Sequence, residues 1–162
     1  MTSAGEAALR RGRHEDWLGV QALLREVDEL HAALAPSFFR SAPRAELEWR
    51  RLLADPNALA EVAVEASPAA PLVGMVSARV YDTPAEPSML PRRRAHVETL
   101  VVAARCRRRG IGRRLLSSAG EWARARGAVE IVLTTWEGND AADAFYERLG
   151  YRVLSRVLHA PL

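Results

Sequence analysis

Val97-Glu-Thr-Leu-Val-Val-Ala-Ala-Arg-Cys-Arg-Arg-Arg-Gly-Ile-Gly-Arg-Arg-Leu-Leu116 is the stretch around which the rest of the chain is organised. Its first part, Val97 to Val102, is an apolar, β-branched run of the kind that forms a buried strand. An arginine cluster and two glycines follow. The chain then takes up helical spacing, with apolar residues at Ile111, Leu115, Leu116, Ala119, Trp122 and Ala123. The joint is Arg107-x-x-Gly110-x-Gly112, with Arg113 and Arg114 in the first helical turn. A helix start presents unpaired N–H groups and a partial positive charge, and glycine lets an anion come close to the backbone. Arginines beside those amides add charge-assisted bonds to phosphate. The local chemistry is that of a diphosphate cradle.

Two familiar cradles do not fit. A Walker A loop requires a lysine, and this chain has none; a dinucleotide fingerprint requires a third glycine where Leu115 stands. The segment Arg107-Arg108-Arg109-Gly110-Ile111-Gly112 resembles instead the acetyl-coenzyme A loop of the GCN5-related N-acetyltransferase (GNAT) family, Gln/Arg-x-x-Gly-x-Gly/Ala after a core strand. A second segment resembles that family's other motif, Asn-x-x-Ala-x-x-Phe-Tyr-x-x-x-Gly-Phe. Here it is carried by Asn139, Ala142, Phe145, Tyr146 and Gly150, with Tyr151 in place of the usual Phe. A helix's core face accounts for Ala142, Phe145 and Leu149 by itself, but not for Asn139, Tyr146 and the glycine loop together.

The resemblance implies an α/β (α+β) GNAT fold: one mixed, mostly antiparallel central sheet with a splayed central strand pair, flanked by about four helices. It also implies roles. Leu100, Val101 and Val102 would bond the pantetheine arm through their backbone. Arg107, Arg108, Arg109, Gly110, Ile111, Gly112, Arg113 and Arg114 would hold the diphosphate, and Asn139 would reach the arm from the other side. Tyr146 matches the family tyrosine near the thioester sulfur, where a phenol can protonate the departing thiolate; packing under the coenzyme is its other reading. Glu98 is the candidate base for the amine, directly or through water, or else a residue that orders the sheet. His96 shares its strand face by period two. The implied function is an acetyl-CoA-dependent N-acetyltransferase acting on a primary amine in a ternary complex. The alternative is a coenzyme A-binding sensor without turnover. The acceptor stays open, with walls expected at Asp28 to Arg40, Asp82 to Arg94 and the chain end. His31, Phe38 and Phe39 fall in the first of these.

Composition bounds the remaining classes. With 162 residues, 49% hydrophobic and 27% charged, the chain is expected to form one domain, 1–162, with a substantial core. Its 23 cationic residues are all arginine, which with the alanine content suggests the bias of a GC-rich bacterial genome rather than a nucleic-acid surface. A single Cys106 allows no intramolecular disulfide and suits a cytoplasmic setting. No apolar run approaches membrane-spanning length. The expected partners are acetyl-CoA and an amine, with no metal, nucleic acid or membrane; a homodimer is left open.

In chain order, the spacing predicts a strand at Ala7–Arg11 and a helix starting at His14–Asp16. That helix should bury Trp17, Val20, Leu23, Leu24, Val27 and Leu30 and break at Pro36. A short helix at Ala45–Leu53 should close at Asp55-Pro56. Leu59–Ala66 alternates as a half-exposed strand with Glu61 and Glu65 outward, Ser67–Pro71 reads as a turn, and Leu72–Tyr81 as the next strand. Asp82–Arg94, with three prolines, reads as a long mobile loop. Gly127 should cap the glycine-loop helix. Val129–Trp136 follows as a buried strand, Asn139–Leu149 as a helix closed by Gly150, and Tyr151–Leu158 as a strand or short hairpin.

Overall fold

The computed structural model describes residues 7–65 and 71–161. Its elements run β1 (Ala8–Arg11), α1 (Trp17–Leu34), α2 (Glu46–Ala54), β2 (Ala58–Val64), β3 (Leu72–Asp82), β4 (Arg93–Val102), α3 (Ile111–Ala125), β5 (Glu130–Val132) and α4 (Asp140–Arg148). The five strands form one sheet in sequence order, antiparallel from β1 to β4 and parallel between β4 and β5. This is the mixed, mostly antiparallel sheet with four helices that the sequence led us to expect.

Each face of the sheet carries its own core. Under α3 lie Leu59, Val76, Val97, Ile111, Leu115, Ala119 and Trp122. Under α1 and α2 lie Val20, Leu23, Trp49, Val62, Met75 and Val101. Burial of one such aliphatic side chain contributes about 1.5–3 kcal/mol. All six apolar positions read from the α3 spacing are buried. Gly127 takes φ +77° just past that helix, the left-handed conformation that lets its N–H return to Arg124 O. The turn between β1 and α1 is fixed by buried Asp16, which accepts two bonds from the Arg10 guanidinium, at 2.7 and 2.8 Å, and one from Arg13 N–H at 2.7 Å.

Several expectations need correction. β2 is covered on both faces, Leu59 and Ala63 packing in the core under α3 and Ala60 and Val62 in the core under α1 and α2, so it is not the half-exposed strand its glutamates suggested. Leu30 is 41% exposed, beyond the packed part of α1. Arg93 and Arg94 belong to β4. The preceding loop is shorter than predicted and is tied at its base by Thr83 N–H to Arg92 O and Arg92 N–H to Thr83 Oγ1. β5 spans only Glu130–Val132 instead of Val129–Trp136. Tyr151–Leu158 forms neither strand nor hairpin, and Val157 and Leu158 stand 96% and 89% exposed. In the predicted Ser67–Pro71 turn, residues 67–70 lie outside the described residues.

Candidate active site

The site begins with one extra residue in β4. Val97 lies opposite Ala78, and the next position, Ser77, lies opposite Thr99, so Glu98 has no partner across the ladder. Such a bulge bends its strand and sharpens the local twist. β5 leaves at the same place: its last paired position is Val132, opposite His96. Downstream, Leu100, Val101 and Val102 pair with β3 on one edge, while the other edge has no β5 partner. This is the splayed strand pair. Its unpaired backbone groups are the ones expected to meet the pantetheine arm.

The bulge also changes which residues face which way. Ala95 and Val97 join the core under α3, whereas Val101 and Ala103 join the core under α1 and α2. Glu98 and Thr99 therefore both line a groove of about 300 Å³ between the sheet and α1–α2, with Trp17, Trp49, Met75 and Arg79. The Glu98 carboxylate accepts a 2.7 Å hydrogen bond from Arg79 Nε, and Arg79 also pairs with Asp55. Sequence reasoning missed Arg79 and Asp55, because no local pattern links residues that meet only across strands. His96 keeps the same face as Glu98 by alternation and is half-buried.

The glycine loop opens on the other side of the splay. Arg108 has φ 65° and Gly110 has φ 78°, two left-handed residues separated by one position. Gly110 is the N-cap of α3 and has no side chain with which to cap it. The first helical bond runs from Arg114 N–H to Gly110 O, so the amides of Ile111, Gly112 and Arg113 have no acceptor within the helix. A methyl group at Gly110 would touch nothing within 4 Å, so open space lies beside this cap. A methyl group at Gly112 would meet Phe145 Cζ at 3.5 Å and Val102 Cγ2 at 3.6 Å, where β4 and α4 converge. These residues fit a diphosphate.

The arginines divide into two groups. Arg107 is turned back onto the protein, with Nε on Val102 O at 3.1 Å and a terminal nitrogen 3.2 Å from Glu26. Arg114 donates to Ala7 O at 2.7 Å. Arg108, Arg109 and Arg113 are exposed and make no ion pair among the described residues. The structure thus brings the whole predicted cradle together, but three guanidiniums, not five, point outward without a partner.

α4 supplies the remaining groups. Asn139 caps it, its Oδ1 accepting from Ala142 N–H at 3.3 Å, so the amide nitrogen is the part left for a ligand. Phe145 and Tyr146 both pack against the α3-side core, with ring centroids 5.1 Å apart. Tyr146 is tucked between Phe145 and Tyr151, and burial, with a smaller contribution from Tyr151, pushes its phenol up to about 12. Its hydroxyl has no hydrogen-bond partner among the described residues. Glu98 and Tyr146 thus lie on opposite faces of the sheet, with the β4–β5 gap between them.

His31 stacks on Phe39 at 5.0 Å, and Phe39 and Phe38 pack on Trp136 at 4.6 and 5.5 Å. This cluster joins the end of α1 to the segment after β5. Among the described residues, no group of three or more His, Cys, Asp or Glu is placed to hold a metal ion, and no helix is long and apolar enough to cross a membrane.

Comparison with known proteins places this geometry. The sequence pattern of the acetyltransferase (GNAT) family matches residues 24–151. N-alpha-acetyltransferase 30 of Schizosaccharomyces pombe is 40% identical over 58 residues, which cover 36% of this chain and 39% of that protein. The crystal structure of a mutant BH1408 protein from Bacillus halodurans has a TM-score of 0.90 at 25% identity, covering 96% of this chain and 99% of its own. An acetyltransferase from Trypanosoma brucei aligns with a TM-score of 0.71 at 21% identity, over 97% of this chain and 100% of that one. An aminoglycoside N-acetyltransferase in complex with CoA aligns with a TM-score of 0.71 at 14% identity, over 96% and 98% of the two chains.

Proposed function

The chain belongs to the acetyltransferase (GNAT) family, and from that premise we propose that it transfers acetyl from acetyl-CoA to a primary amine by direct attack in a ternary complex. The observation that carries this reading is the coincidence of the Glu98 bulge with the parting of β4 and β5 after His96. It sets an uncapped helix start on one face of the sheet against a carboxylate-lined groove on the other.

Acetyl-CoA enters from the α3 side. Its diphosphate meets the amides of Ile111, Gly112 and Arg113 and the guanidiniums of Arg108, Arg109 and Arg113, while Arg107 and Arg114 brace the loop from behind. Its pantetheine arm runs along the free edge of Leu100–Val102, with Asn139 opposite. The amine arrives through the groove on the α1–α2 side. Its nitrogen attacks the thioester carbonyl carbon, the C–N bond forms and the C–S bond breaks. Glu98 takes the proton the amine must lose, directly or through water, and Tyr146 donates toward the sulfur as it acquires charge. The likeness to N-alpha-acetyltransferase 30, 40% identical over 58 residues, supports an amine acceptor.

The test is release of coenzyme thiol from acetyl-CoA with a panel comprising a peptide with a free α-amino group, spermidine, kanamycin and free amino acids. Turnover of any of these supports the reading. Tight coenzyme A binding with no thiol release across a broad amine screen would instead favour a coenzyme sensor.

A further inference from the structure

Glu98 is the bulge residue, so no cross-strand neighbour fixes its side chain through the ladder. Something else must aim it. Arg79, on β3 and paired with His96 of β4, donates Nε–H to Glu98 Oε1 at 2.7 Å. The far end of the same guanidinium pairs with Asp55 Oδ2. Asp55 lies at the end of α2 and is itself held: its Oδ1 accepts Asn57 N–H at 2.8 Å, and its carbonyl accepts Ala58 N–H at 3.1 Å. Asn57 O in turn accepts Val80 N–H at 2.9 Å, the residue after Arg79. The turn between α2 and β2 is therefore stitched to β3 beside the arginine it clamps.

We infer that Asp55 and Arg79 form a relay that aims the Glu98 carboxylate into the groove, making Arg79 a positioning residue for acetyl transfer. A planar guanidinium offers donors in a fixed fork, so two carboxylates on different edges set its orientation as a free lysine could not. With Oε1 held by Arg79, Oε2 has no partner among the described residues and is left to receive a proton. Two carboxylates against one guanidinium leave the cluster with one net negative charge, while Arg44 and Glu48, which also line the groove, offset each other. Stability is not the network's main product. The Arg79 and Glu98 side chains are 37% and 35% exposed, where ion pairs contribute little to folding.

The inference rests on Glu98 being the proton acceptor, and the experiment separates the two. In the full chain, Arg79→Gln, Glu98→Gln and the double variant are compared by kcat and by KM for acetyl-CoA, using the free-amine peptide, spermidine and kanamycin as probes. NMR of the Arg79 Nε–H reports the link itself without any acceptor. Each single variant should lower kcat by about ten- to a hundredfold, with KM for acetyl-CoA within about twofold. The double variant should be no worse than Glu98→Gln, the non-additivity of residues acting as a unit. The Nε–H signal should shift in Glu98→Gln. Asp55→Asn should reproduce a weaker form of the Arg79→Gln loss. Parental kcat in Arg79→Gln, or a loss that adds in full to that of Glu98→Gln, overturns the relay while leaving Glu98 as base. Parental kcat in Glu98→Gln, or no turnover of any probe by the parent, overturns the base and the relay together.

Discussion

The ring of Tyr146 lies with its centroid 5.6 Å from that of Tyr151, on the inner side of α4 where both are half-buried. Burial raises both phenols, Tyr146 to about 12. Because the neutral form is the one favoured, Tyr146 keeps its proton near neutral pH, which suits the donor role proposed for it and not that of a base. A phenol this weakly acidic is a modest proton source. The same dry surroundings, however, penalise a thiolate beside it, so proton donor and acceptor shift in the same direction.

Tyr146→Phe keeps the ring and its contacts and removes only the donor. We expect turnover to fall about ten- to a thousandfold, with coenzyme affinity little changed. Steady-state kinetics beside an acetyl-CoA titration is the check; parental turnover would return Tyr146 to a packing role.

Gly112→Asp places a carboxylate at the first turn of α3. An anion there suits the helix dipole, but its β carbon would rest against Phe145 and Val102, so the melting temperature should fall by a few degrees. The same charge meets the incoming diphosphate, and like charges in contact cost several kcal/mol. Calorimetry should show coenzyme A affinity reduced by at least about a hundredfold. Unchanged affinity places the diphosphate elsewhere.

Arg108 occupies a left-handed conformation, φ 65°, that costs a side-chain-bearing residue about 1 kcal/mol. Arg108→Gly should therefore raise stability by about 0.5–1 kcal/mol in urea while weakening coenzyme A binding about tenfold through loss of a charge-assisted bond. A variant that is less stable, or that binds as tightly as the parent, contradicts the trade.

Asp16 sets the acid sensitivity of the β1–α1 junction. Burial disfavours its charge, but the bonds from Arg10 and from Arg13 N–H, with the Arg10 charge, outweigh that and hold its carboxyl below the usual carboxylate range. The folded value lies below the unfolded one of about 3.9. Its stabilisation is complete above that unfolded value and is lost as pH falls through the folded one. Asp16→Asn should cost about 3 kcal/mol near neutrality, at the lower end for breaking a buried pair. In urea titrations the gap between parent and variant should narrow in acid; a constant gap would mean that charge is not the cause.

Much of this was legible in the sequence because it is local. The α3 periodicity named every residue that helix buries, and the glycine loop and the Asn139–Gly150 motif named the elements around the gap. What escaped depends on partners distant in sequence. Arg92–Arg94 read as the end of a long loop, yet Arg93 and Arg94 belong to β4 and Arg94 donates to Glu130 across the β4–β5 pair at 2.7 Å. Val129–Trp136 is apolar enough for a long buried strand, but pairing ends at Val132 because β4 bends away at Glu98. A period-two reading has no way to register one inserted residue. Tyr151–Leu158 alternates well enough for a strand and still makes no ladder, since propensity without a partner does not make a sheet.

Each ion pair among the described residues is made by an arginine, from Arg10 beside Asp16 to Arg107 beside Glu26, and the chain contains no lysine at all. An enzyme that hands acetyl groups to amines is exposed to its own reagent, both at the site and through the slow reactivity of any thioester in solution. A guanidinium keeps its proton far above neutrality and does not compete as a nucleophile. Under the proposed reaction, the surface charge and internal bridges of this protein are held in a form that acetyl transfer cannot erase. Prolonged incubation with acetyl-CoA should leave its intact mass free of a ladder of side-chain acetyl additions.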